Sequence, residues 1–124
     1  MILSLLGLKG PDIDITGVPR EEVMRVLKNR RRALVVQILS ENGSGMSLSD
    51  LAESVGRIEN GKEHLTSDER KRSYVALYQT HLSVLEDAGA VKLPDEGSMV
   101  YLGENTHDFA RAYDEVGDWL DDET

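Results

Sequence analysis

The segment from Thr66 to Gly89 constrains the fold more than any other part of the chain. It opens with Thr66 and Glu69 in the spacing of a capping box, in which each residue bonds the backbone of the other at a helix N-terminus. Apolar or weakly polar residues then recur three and four positions apart, as on the buried face of a helix, namely at Tyr74, Leu77, Tyr78, His81, Leu85 and Ala88. Gly89 suits a left-handed helix end. We therefore predict one unbroken helix over about 66–88, with Tyr78 and His81 facing the core.

The residues on the opposite side of this predicted helix are small or polar. They are Arg72, Ala76, Gln79 and Ser83, flanked by Thr80. Small residues let a helix backbone approach the floor of a DNA major groove, where a glutamine can pair with adenine and an arginine with guanine. We therefore assign DNA base contacts to these five residues.

Shorter elements surround the long helix. Pro19 and Asn29 are typical of helix starts, and Ser47 begins a helix whose buried side holds Leu48, Leu51, Ala52 and Val55. Residues 90–93 and 99–102 alternate as two strands around a Pro-Asp-Glu-Gly turn, and Thr106 opens a last helix. This order predicts an α+β, mostly α fold: a winged helix-turn-helix with a two-stranded wing and an extra C-terminal helix. We divide it into a tail or strand over 1–18, a winged-helix domain over 19–103, and an acidic amphipathic helix over 104–124.

Two groups of segments also resemble known proteins. Residues 48–53 and 81–91 are similar to the winged-helix repressors of the arsenic- and multidrug-resistance type. Residues 29–32, 59–61, 69–72 and 78–82 resemble a haloarchaeal winged-helix domain family whose members are largely uncharacterised. The resemblance covers roughly 20–102 and implies a DNA-binding regulator, usually a dimer, with base readout on Ala76, Gln79, Thr80 and Ser83. The chain departs from the repressors in its long linker from Arg57 to Asp68 and its acidic wing tip at Asp95 and Glu96.

Charge gives a mixed indication of the partner. With 23 acidic and 14 basic residues the net charge is −9, which by itself argues against nucleic acid. An acidic, hydrated surface is also typical of proteins in concentrated salt, where distant charges are screened. Local clusters are therefore more informative, and we assign phosphate contacts to Arg30, Arg31, Arg32, Arg70 and Lys71. Ordinary solvated helix faces would explain the same clusters.

The last helix offers an apolar stripe that a second copy of the chain could cover. We assign a homodimer interface to Phe109, Tyr113, Val116, Trp119 and Leu120, with packing onto the same domain as the alternative. The favoured function is a cytoplasmic, dimeric, sequence-specific transcription regulator of a salt-adapted archaeon. The alternatives are a winged helix acting as a protein–protein adaptor and, less favoured, a membrane-associated sensor anchored through residues 1–8. We expect no enzymatic activity, no cofactor and no metal, because no nucleophile, phosphate loop or metal-ligand spacing is present.

Overall fold

The computed structural model describes residues 18–94 and 96–123, with side chains up to Glu115. The second and third of its helices have the N-terminal caps that the sequence predicts. Asn29 Oδ1 accepts from the backbone N–H groups of Arg31 (3.0 Å) and Arg32 (3.2 Å), and Ser47 Oγ accepts from Asp50 (3.0 Å). These caps satisfy backbone donors that have no partner within the helix. The helices are α1 (Arg20–Leu27), α2 (Arg30–Asn42) and α3 (Leu48–Asn60).

The predicted long helix is continuous but not regular. It consists of α4 (Ser67–Ala76), a π-helical turn (Leu77–His81) and α5 (Leu82–Asp87), and we call this whole segment the long helix. The described residues contain no loop within it, so the prediction of an unbroken helix is confirmed. It ends at Gly89, which has the left-handed φ of 75° that a glycine adopts without strain.

The hairpin that follows belongs to a small antiparallel sheet. The strands are β1 (Met46–Ser47), β2 (Val91–Lys92) and β3 (Met99–Leu102), and β3 lies in the middle. Val91 pairs with Leu102 and Met46 with Val100. The predicted hairpin is confirmed, whereas β1 is a third strand that the sequence did not reveal, because two residues are too short for any periodicity.

A single buried core unites these elements with the last helix, α6 (Thr106–Glu123). The α6 helix packs on α1 and α2, and Thr106, at its start, donates from Oγ1 to Ala90 O (2.7 Å) while accepting from Gly103 N (2.8 Å). The architecture is therefore α+β and mostly α. Residues 1–17, which hold nearly all of the predicted N-terminal tail, lie outside the described residues.

The structure corrects the interface predicted for α6. Phe109 is 0% exposed and lies in the core of its own chain, so it offers no surface to a second copy. Tyr113 is half-buried and packs against the same core. The side chains of Val116, Trp119 and Leu120 lie outside the described part.

Candidate nucleic-acid interface

The long helix is fixed to α3 by close packing and one buried hydrogen bond. Ser73 Oγ donates to the backbone carbonyl of Ala52 over 2.7 Å, and Ser73 is buried. Gly56 faces the same contact, where an added Cβ would lie 2.7 Å from Leu65 Cδ1 and 3.5 Å from Ser73 Cβ. A larger residue at Gly56 would therefore have to displace Leu65. This packing and the hydrogen bond hold the long helix against α3.

The first turn of the long helix carries the predicted capping box. Thr66 Oγ1 accepts from Glu69 N over 3.1 Å, and Glu69 Oε1 accepts from Thr66 N over 2.9 Å. Lys62 Nζ pairs with the same carboxylate at 3.0 Å. The hydrogen bond from the Thr66 backbone is the main influence that lowers the pKa of Glu69, and the hydrogen bond from Lys62 is the second. The Glu69 carboxylate therefore binds at the helix N-terminus and is kept in its ionised form.

Beyond Glu69, the exposed side of the long helix contains no carboxylate until Glu86. The predicted base-contact residues all lie on it: Arg72, Gln79, Thr80 and Ser83 are exposed, and Ala76 is partly exposed. Within the described part of the chain, Arg72 and Lys71 form no ion pair. The exposed side chains of the long helix therefore include two cations without an ion pair, an amide and two hydroxyl groups. Carboxylates lie beside both cations, because Lys71 shares a surface cleft with Asp50 and Glu53, and Arg72 shares one with Glu59 and Glu69.

The other predicted phosphate-binding residues are in different situations. Arg31 Nε pairs with Glu59 at 2.9 Å, and Arg70 Nε pairs with Glu53 at 2.9 Å. Arg57 also reaches Glu53, at 3.0 Å. The hydrogen bond from Arg70 is the largest of the influences that lower the pKa of Glu53. Both arginines are partly neutralised by their own chain.

Arg30 lies close to this group in sequence but is not neutralised in this way. It is exposed, and among residues 18–94 and 96–115 it has no acidic partner within ion-pair distance. Together with Lys71 and Arg72 it is a free cation of the predicted set.

Arg32 has a structural role that removes it from that set. Its Nε donates to Val26 O (2.9 Å) and its Nη2 to Arg25 O (3.3 Å), so it satisfies carbonyl groups in the last turn of α1. Its Nη1 lies 3.4 Å from His81 Nδ1. Burial, followed by the charge of Arg25, lowers the pKa of Arg32. Because each nitrogen of this guanidinium contacts a partner, Arg32 links α1 to the long helix.

His81 is the core histidine that the sequence predicted. It is 6% exposed and lies in the π turn against Arg32. Burial is the main cause that lowers its pKa, and the charges of Arg32 and Arg31 add to it. His81 is therefore held neutral, with Nδ1 placed to accept from Arg32 Nη1. The described residues contain no group of three side chains able to hold a metal ion.

The sequence prediction for Tyr78 is wrong. Its side chain is 67% exposed, although the apolar stripe placed it in the core. Leu82 is buried in the long helix, and so are Ser73, Leu77, His81 and Leu85, which are each four residues apart. In a regular α-helix of 3.6 residues per turn, each step of four overshoots by about 40°, so these residues would drift off one face. The π turn contains one more residue than an α-helical turn, and this extra residue cancels the drift. Leu77 therefore stays in the core, and Tyr78 is exposed.

The exposed Tyr78 ring is supported by a second tyrosine. Its centroid lies 6.4 Å from that of the half-buried Tyr74, with 25° between the ring planes. Tyr78, Gln79 and Thr80 are three consecutive exposed residues at the middle of the π turn. The spacing of four from Ser73 to Leu85 was the sequence signal that could have revealed this arrangement.

The hairpin contributes little positive charge. Lys92 on β2 is exposed, as are Glu96 in the turn and Tyr101 on β3. The Tyr101 ring covers Gly45 so closely that a Cβ there would overlap it. Asp95, the other predicted acidic residue of the tip, lies outside the described residues.

These features define a small, mostly helical α+β domain with an acid-free face on its long helix, by which we mean the exposed side chains of residues 70–85. Residues 24–101, more than half of the chain, match the family model described as a domain of unknown function, DUF7344, and the chain belongs to that family. No curated protein and no solved structure matches the chain. Among the described helices, none is both long and apolar enough to cross a bilayer.

Proposed function

We propose that this chain is a winged-helix transcription regulator that binds double-stranded DNA through its long helix. In this proposal α3 and the long helix form the helix-turn-helix, and β2 and β3 form the wing. The long helix enters the major groove, whose width admits one helix. The resemblance to haloarchaeal winged-helix domains supports a salt-rich, cytoplasmic setting.

The observation that carries the proposal is the absence of acid from the exposed face of the long helix. The chain carries 23 acidic residues among 124, so 16 residues at that average would hold about three. Residues 70–85 hold none, and they include the unpaired cations Lys71 and Arg72. A helix segment without carboxylates on a strongly acidic protein suits a polyanionic partner.

Short-range contacts should dominate binding. Concentrated salt weakens phosphate attraction because counterion release then gains little free energy. Gln79 is exposed at the centre of the acid-free face and can pair bidentately with adenine. We therefore assign base readout chiefly to Gln79, with Arg72 for a guanine or a phosphate at the N-terminal end of the face.

Selection of binding sites from random duplexes in molar potassium chloride tests this function. We expect an enriched sequence, and we expect Gln79→Ala to weaken binding to it by about 1–3 kcal/mol and relax one base position. Gln37→Ala is the matched control, since Gln37 is the other glutamine of the chain and lies on α2. It should bind as the parent does. A parent that enriches no sequence at any salt concentration would contradict the proposal.

A protein–protein adaptor is the second candidate. It is favoured by the partial neutralisation of Arg31 and Arg70 and by the exposed side chains of Val75 and Tyr78. Homodimerisation belongs to the DNA-binding proposal, and with Phe109 in the core it depends on Tyr113 and on the later part of α6. Light scattering of the parent and of Tyr113→Glu measures it: we expect a dimer and a folded monomer, respectively.

A further inference from the structure

Tyr78 is the residue that the π turn moves from the predicted core to the surface. It is exposed between the buried Leu77 and the exposed Gln79. A π turn is rare and is frequently found at functional sites. An α-helical register at this point would bury Tyr78 on the stripe that contains His81 and Leu85. The departure from regular helix therefore has a definite effect, which is to place an aromatic ring on the acid-free face.

The ring is also held in position before any partner arrives. Stacking on the half-buried Tyr74 limits its rotation, and a tyrosine has only two side-chain torsions to fix. A side chain that is already ordered loses little entropy when it binds. An apolar ring exposed in this way suits a small apolar group on the partner.

From these observations we infer that Tyr78 is a specificity-determining residue that contacts the C5-methyl group of thymine in the major groove. The inference rests on the proposed DNA-binding function. It adds one contact residue, Tyr78, and one base, thymine, that the proposed function does not specify. Thymine is the base that presents an apolar group in the major groove. Gln79, next in the chain, has the chemistry to pair with adenine, so the two residues together select A·T pairs.

Replacement of thymine by uracil tests the contact directly, because it removes the methyl group and leaves base pairing unchanged. The duplex is the sequence selected by the parent, with uracil introduced at one thymine at a time. We expect one position at which the parent loses about fourfold in affinity, the value for burying one methyl group. Tyr78→Ala should bind the thymine and uracil duplexes equally, whereas Tyr78→Phe should keep the preference.

Tyr101→Ala is the matched control, since Tyr101 is also an exposed tyrosine but lies on β3. It should keep the full uracil penalty, and circular dichroism should show that each variant is folded. A uracil penalty that persists in Tyr78→Ala overturns the inference, as does a selected site without a sensitive thymine, while the proposed function stands in both cases. If the parent selects no sequence at all, the function itself fails and the inference fails with it.

Discussion

Replacement of Phe109 by alanine tests whether α6 belongs to the core of its own chain. The Phe109 side chain is 0% exposed and is the only phenylalanine of the chain. Removal of a fully buried phenyl ring leaves a cavity and costs about 3–5 kcal/mol. Since a domain of this size is stable by about 5–15 kcal/mol, the variant should lose a large part of its stability. Phe109→Leu keeps most of the volume and should cost less than about 1.5 kcal/mol.

Urea unfolding followed by circular dichroism at a low and a high protein concentration measures this loss. If Phe109 lay at a dimer interface, the apparent free energy of unfolding of the parent would rise by about 1.4 kcal/mol for each tenfold increase in protein concentration. We expect the difference between Phe109→Ala and the parent to be the same at both concentrations. A loss below about 1 kcal/mol, or one that grows as the concentration rises because only the parent is stabilised by dimer formation, would refute the burial argument and return Phe109 to a subunit interface.

Two further predictions concern ionisable groups. Because burial lowers the pKa of His81, the unfolded chain takes up a proton first as the pH falls below about 6.5, so folding stability should decrease from there towards pH 5. In urea titrations across this range His81→Gln should flatten the decrease, whereas the exposed His64→Gln should leave it unchanged. Glu53→Gln releases Arg70, so it should tighten binding to random duplexes and steepen the dependence on salt. Glu41→Gln removes the same charge from an exposed site that has no ion pair among the described residues, and equal tightening by both variants would show that only net charge matters.

Much of the local structure could be predicted because it depends on residues that are close in sequence. The capping box at Thr66 and Glu69, the cap at Asn29 and the left-handed Gly89 each involve bonds or torsions within a few positions. The hairpin follows from two alternating segments and their turn. For such elements the periodicity and the capping residues are sufficient.

The candidate site could be predicted only as a set of exposed residues. Arg72, Gln79, Thr80 and Ser83 are exposed as expected because they lie opposite the apolar stripe. Which cations are free was not predictable, since Glu59 lies 28 positions from Arg31 and Glu53 lies 17 positions from Arg70. Ion pairs of this kind depend on how α2, α3 and the long helix pack.

Tertiary packing also decided the features in which the structure departs from the sequence prediction. Ser73 can bond Ala52 while His81 contacts Arg32 only if both face inward, and the π turn is the local change of register that allows this. Tyr78 is exposed as a consequence. Sequence periodicity fixes which residues can share a helix face under regular geometry, whereas contacts between helices select the register that is adopted, because a lost buried contact costs more than one irregular turn.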